Sequence, residues 1–144
     1  YVEGPCIIGK NTIVRHGAYI RGNVITGEGC VIGHATEVKN SIFLDRSQAA
    51  HFAYVGDSVL GNRVNLGAGT RCANLKLAGD NVTIRLAGEK VSTGRRKLGA
   101  IIGDGAQLGC NSVTNPGTLM GRNSGCYPCI NIGGLVKENE IVKR

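Results

Sequence analysis

The sequence predicts an all-β protein, a parallel β-helix wound from six-residue repeats, and three observations predict it. An aliphatic or small residue recurs every six positions at Ile8, Val14, Ile20, Thr26, Ile32, Val38, Leu44 and Ala50. The beat returns at Leu60, Leu66 and Cys72, and again at Ile102, Leu108, Thr114, Met120, Cys126 and Ile132. The chain of 144 residues holds 23 glycines, no tryptophan and only 4% aromatics. Short Val/Ile/Leu pieces alternate with Gly, Asn and Asp, which is strand-and-turn chemistry, and apolar spacing of three and four is absent before the last few residues.

Each hexapeptide supplies a short strand and a turn. The aliphatic side chain points inward because strand faces alternate. Four residues later stand Thr12, Ala18, Val24, Cys30, Thr36, Ile42, Gln48 and Tyr54, mostly small or β-branched. Stacked coils bury a continuous apolar column. A Gly-rich β-sandwich does not hold phase over a hundred residues.

The formal net charge is +7. Nucleic-acid binding is disfavoured because aromatics are too sparse for a stacking surface. No apolar run is long enough to span a membrane, and no signal-peptide pattern is visible. Cys6, Cys30, Cys72, Cys110, Cys126 and Cys129 are scattered, with one CxxC at "CYPC". They read as reduced, small hydrophobes and point to the cytoplasm rather than to a zinc site. The chain opens at Tyr1, inside a repeat, and is expected to be a fragment of a longer one.

The six-residue motif resembles the left-handed parallel β-helix of hexapeptide-repeat acyltransferases. In that family three hexapeptides make one triangular coil, so residues 18 apart stack, and the prisms are usually homotrimers. The whole chain, 1–144, then reads as a single β-helix domain. The pattern lapses over about 75–100, "LKLAGDNVTIRLAGEKVSTGRRKLGA", yet Cys72 and Ile102 stay in phase. This basic insertion is either thrown out as a loop or built in as irregular strands; its Arg95, Arg96 and Lys97 are candidate cofactor-binding residues, clamps for the phosphates of the acyl donor.

Arg21 and Lys39 are 18 apart and are expected to stack on one corner, two cations with no nearby carboxylate, suited to a dianionic group. His51 is expected at the same type of position on an adjacent face. The beat slips across "QAAHFAYVGD": Ala50 to Val55 is five residues and Val55 to Leu60 five again. Such a slip re-aims His51 and Tyr54, and irregularities in a strict repeat mark function. A neutral imidazole at His51 can take a proton from an attacking amine or hydroxyl. His16 and His34 are also 18 apart and expected to stack. The spacing lacks the close histidine pair of the zinc-binding γ-class carbonic anhydrases, so no metal is expected.

The block "RGNVITGEGCVIGHATEVKNS…QAAHFAYVGDSVLGNRVNLGAGTRCAN" closely resembles the acetyltransferase domain of the bifunctional glucosamine-1-phosphate acetyltransferase/N-acetylglucosamine-1-phosphate uridylyltransferase family. The later "NL…STGRRKLGAIIGD…G" resembles archaeal-type sugar-phosphate nucleotidylyltransferases with a similar C-terminal β-helix. The resemblance implies acetyl transfer from acetyl-CoA to the amine of glucosamine-1-phosphate, in UDP-N-acetylglucosamine synthesis. It implies His51 as general base, Arg21, Lys39 and Tyr54 on the sugar phosphate, and Asn65 and Asn74 orienting the histidine and the sugar. Ala68 and Cys110 fall at acetyl-CoA positions. Two departures stand out: Asp80 occupies the place of a phosphate-binding lysine six residues after Asn74, and Ala50 replaces a glycine before the histidine. The alternative is a non-catalytic, oligomerising β-helix of a sugar-phosphate nucleotidylyltransferase. An O-acyltransferase of UDP-sugars would want a C-terminal helical domain that the sequence lacks.

Overall fold

Corner chemistry sets the architecture. Asn11, Asn23, Asn40, Asp57, Asn111, Asn123 and Asn139 all take positive φ between 45° and 60°, the left-handed conformation that asparagine and aspartate tolerate better than other side chains. Each such residue turns a short strand sharply into the next. In the computed structural model, which describes residues 1–86 and 88–144, the result is a left-handed parallel β-helix of three seven-stranded sheets. The first face begins with Val2–Glu3, Tyr19–Arg21, Glu37–Lys39 and Tyr54–Gly56, the second with Cys6–Ile7, Val24–Thr26, Ser41–Phe43 and Val59–Leu60, and the third with Ile13–Val14, Val31–His34, Gln48–His51 and Asn65–Leu66.

Inside the prism Ile20, Val38, Val55 and Cys72 stack along the first face, with Ile32, Ala49 and Leu66 along the third, all buried. Each fully buried aliphatic side chain contributes about 1.5–3 kcal/mol. Buried hydroxyls near the corners tie successive coils together. Thr36 Oγ1 donates to Ala49 O at 3.0 Å and accepts from Ala53 N at 3.2 Å. Ile8 and Val14, expected inside, are more than a third exposed. Cys30, Cys72 and Cys126 are core residues, whereas Cys110 and Cys129 are exposed and Cys6 half-buried. Burial pushes the Cys72 thiol up to about 11.

The slip lies elsewhere than the beat suggests. First-face partners Ile20 and Val38 are 18 apart, but second-face partners Val24 and Ser41 are 17 apart. One residue is therefore lost at the corner between these faces, where Asn40 alone replaces the pair Gly22–Asn23. Asp57 makes the same short corner one coil later. The inward sequence is Val38, Phe43, Ala49, Val55, Leu60, so the five-residue steps are Val38 to Phe43 and Val55 to Leu60, not Ala50 to Val55. Leu44 and Ala50 are accordingly not core: Leu44 is 40% exposed while Phe43 is wholly buried. Two adjacent apolar residues look alike in a periodicity count, and only the shortened corner decides between them.

The insertion leaves the helix at this same corner, after Asn74, and is thrown out rather than built in. It forms an antiparallel hairpin of Thr83–Leu86 with Glu89–Ser92. Its stem is pinned to the coil by Leu98 N to Asn74 O at 3.0 Å and Gly99 N to Asp57 O at 2.8 Å. Val82 is fully buried beside Gly117, where an added Cβ would sit 2.8 Å from Val82 Cγ1. The chain rejoins the second face at Ala100–Ile102.

Candidate active site

Two of the predicted substrate residues, Lys39 and Asn74, converge on Asp57 at the corner between the first and second faces, and Tyr54 joins them through Asn74. Lys39 Nζ lies 3.1 Å from Asp57 Oδ2, with both side chains largely buried. Asn40 Nδ2 donates to Asp57 Oδ1 at 3.1 Å, and Asn74 Nδ2 donates to Asp57 Oδ2 and, at 3.1 Å, to Tyr54 Oη. Partial burial pushes the Asp57 carboxyl up, but the hydrogen bonds from Asn40, Asn74 and Lys39 outweigh it and hold it below its ordinary value. Tyr54 folds back over Gly56: a Cβ there would meet both Tyr54 Oη and Asn74 Nδ2 at 2.6 Å.

Arg21 stacks one coil before Lys39, as expected. The pair does not lack carboxylates, however. Arg21 Nη1 donates to Glu37 Oε1 at 2.6 Å, and Lys39 is paired with Asp57. Two stacked cations repel, and one anion interleaved beside each removes the repulsion. Spacing by 18 finds like residues in a column; it misses partners that lean across from a neighbouring column.

His51 does not share the position of Arg21 and Lys39. They follow the inward residue directly, whereas His51 comes two after the inward Ala49. It stands at the corner between the third and first faces, at the other end of the strand Tyr54–Gly56 from Asp57. His34 is its register partner one coil earlier. The rings of His16 and His34 stack at 5.9 Å, as expected. Extending the ladder of Leu66 with Ala49 and Leu108 places Ala68 and then Cys110 in the same corner column as His51. Gly69 N donates to His51 O at 3.0 Å and Asn111 N to Ala68 O at 2.8 Å, so the column rises on main-chain hydrogen bonds. Arg15, two coils before His51, brings Nη1 to 3.4 Å from His51 Nε2. Among the described residues no three His, Cys, Asp or Glu side chains are grouped to hold a metal.

The remaining candidates are dispersed. Asn65 lies on the third face, paired with Gln48 and three positions along the ladder from His51. Arg95 and Lys97 line a cleft of about 440 Å³ with Asn40, Asp57, Ser58 and Val59. They therefore belong to the Asp57 corner and not to the Ala68–Cys110 column of the same chain. Arg96 points the other way, with Nη2 at 4.0 Å from a Cβ placed on Gly79. Asp80 sits in the insertion, where it accepts from Lys76 Nζ at 3.0 Å. Sequence reasoning gave Asp57, Asn40, Glu37 and Arg15 no role. Asp57 was within reach as the last residue of "HFAYVGD", but its partners lie 17 or 18 residues away.

A family model described as the GMPPB C-terminal domain matches residues 2–87. The chain belongs to that family. This GMPPB C-terminal-type β-helix is 41% identical, over 77% of its length, to a bifunctional sugar-1-phosphate nucleotidylyltransferase/acetyltransferase of Sulfurisphaera tokodaii, of which it covers 28%. It is 39% identical, over 74% of its length, to the bifunctional protein GlmU of Methanococcus vannielii, of which it covers 26%. The chain thus spans about a quarter of these curated relatives. These matches support the resemblance read from the sequence. Among solved structures, the acetyltransferase domain of PglB from Neisseria gonorrhoeae, in complex with acetyl coenzyme A, shares the fold with a TM-score of 0.62 at 17% identity. The match covers 90% of this chain and 56% of that one. Among the described residues no helix is long and apolar enough to cross a membrane.

Proposed function

We propose that the chain is an N-acetyltransferase that moves an acetyl group from acetyl-CoA to the amine of an amino-sugar phosphate such as glucosamine-1-phosphate. The observation that carries this reading is the layout of the first face: His51 at one corner, and Lys39, Tyr54 and Asn74 gathered on Asp57 at the other. An amino-sugar phosphate bound at this face has Lys39 and Arg21 as partners for its phosphate and the imidazole as the base for its amine. His51 takes the proton as nitrogen attacks the thioester carbonyl, and the thiolate of coenzyme A leaves. The column of Ala68 and Cys110 above His51 is the acyl-donor side. The acetyl-CoA in the PglB structure supports that donor, and the bifunctional sugar-1-phosphate nucleotidylyltransferase/acetyltransferase supports a sugar phosphate as acceptor; the proposed reaction belongs to UDP-N-acetylglucosamine synthesis.

The proposed assembly is a homotrimer. On the second face Ile7, Ile25, Ile42, Val59, Ile101, Leu119 and Leu135 are register partners in one outward column. Ile7, Ile25, Ile42, Ile101 and Leu135 are each more than a third exposed, an apolar stripe that closed association would cover.

The test is acetyl-CoA turnover with glucosamine-1-phosphate by the chain and by His51→Ala. Turnover in the parent and its collapse in the variant support the reading; equal, near-zero rates sink it. The match to the GMPPB C-terminal domain and the pre-paired cations favour the second reading, an oligomerising β-helix without its own chemistry, which predicts that latter outcome.

A further inference from the structure

The predicted phosphate site is electrically occupied before any ligand arrives. Arg21 with Glu37 and Lys39 with Asp57 make two ion pairs on adjacent coils, at 2.6 and 3.1 Å. The four charges sum to zero, and a phosphate reaching Lys39 approaches the Asp57 carboxylate as well. Asp57 has a second neighbourhood. It lines the cleft of about 440 Å³ under the insertion, together with Asn40, Arg95 and Lys97. The backbone around these two cations is held by Val82 N to Arg95 O at 2.8 Å and Leu98 N to Asn74 O at 3.0 Å, with Leu75 bridged to Lys97. Arg95 and Lys97 line the cleft, whereas Arg96 reaches toward Gly79. Among the described residues neither Arg95 nor Lys97 makes an ion pair.

We infer that Asp57 is a switchable counter-ion. It neutralises Lys39 in the free protein, and when a phosphate takes Lys39 its charge is balanced by Arg95 and Lys97 across the cleft. This rests on the reading of the corner as the phosphate end of the acceptor site. Asp57 stays tethered through both exchanges by Asn40 and Asn74, so Tyr54 keeps its place while the cation partner changes. Asp57 touches no reacting atom; it is a positioning and specificity residue. An incoming group must out-compete a carboxylate for Lys39, which selects a phosphate dianion over monoanionic carboxylates and sulfate monoesters. The insertion gains a defined role as the supplier of the alternative cations.

Calorimetric titration of glucosamine-1-phosphate, and of inorganic phosphate, into the full chain tests the exchange without relying on turnover. Asp57→Asn frees Lys39 and is expected to bind either ligand about tenfold tighter than the parent, an effect that structural damage does not produce. The double substitution Arg95→Ala/Lys97→Ala is expected to weaken binding about tenfold in the parent and to have little effect in the Asp57→Asn background. Should Asp57→Asn fail to fold, Asp57→Ser keeps one acceptor for Asn74 and takes its place. A folded variant that binds no tighter, equal weakening in both backgrounds, or no phosphate bound by any variant overturns the inference. Acetyl transfer is read in parallel. The predicted binding pattern without transfer removes the catalytic reading and leaves the exchange standing; transfer without the pattern does the reverse.

Discussion

At the corner between the third and first faces, His51, Ala68 and Cys110 rise one above another on main-chain hydrogen bonds. At the corner between the first and second faces, Lys39, Asn40 and Asn74 are held by the side chain of Asp57, with Tyr54 bonded in turn to Asn74. The first corner keeps the repeat in register and has Arg15 beside its histidine. The second drops a residue in two successive coils, ejects an insertion and concentrates ion pairs. A solenoid supplies position through its backbone at no electrostatic cost, but binding an anion calls for charges, and charges near a core must be paired and hydrogen-bonded. Departures from the repeat therefore cluster at the charged corner.

The largest expected effect separates the corners by chemistry. His51→Ala should lower acetyl transfer about 10²–10⁴-fold and leave both the thermal midpoint and the binding of glucosamine-1-phosphate close to parent; a matching loss of binding would merge the two corners into one function. Gly56→Ala attacks the other corner. Its Cβ would displace Tyr54 Oη and Asn74 Nδ2, so kcat/KM for the acceptor should fall about 10–100-fold, mainly through KM, with KM for acetyl-CoA unchanged.

A smaller effect sharpens the electrostatic contrast. The Asp57 carboxyl is held below its ordinary value of 3.8. A lowered pKa contributes stability that is whole above the ordinary value and is lost as pH falls through the lowered one. Melting curves of the parent and Asp57→Asn should therefore converge on acidification below about pH 4. The smallest effect concerns the hairpin. Replacing Arg85 to Lys90 by two glycines keeps Val82 and Thr93, which pack and pin the stem. Stability should change by about 0.5 kcal/mol or less, as for other exposed changes, and phosphate affinity should hold because Arg95 and Lys97 remain.

Much of the architecture was legible from single residues. The six-residue beat, the stacking of Arg21 near Lys39 and the stacking of His16 on His34 all follow from counting, since identical offsets recur in a solenoid. Counting failed where neighbours compete. Phe43 and Leu44 are both apolar, and their roles depend on whether Asn40 turns the corner alone. It failed again for Glu37 and Asp57, whose partners stand in other columns, and for Arg95 and Arg96, adjacent residues of which only Arg95 lines the cleft.

The sequence by itself determined the β-helix and its six-residue period, because a period is written in local chemistry: one inward aliphatic and one tolerant corner residue per six. Only the tertiary structure decided which carboxylate meets which cation and where the insertion lays its arginine and lysine. Those pairings depend on how far each coil is rotated against the next, and one residue dropped at Asn40 and again at Asp57 shifts every contact beyond it.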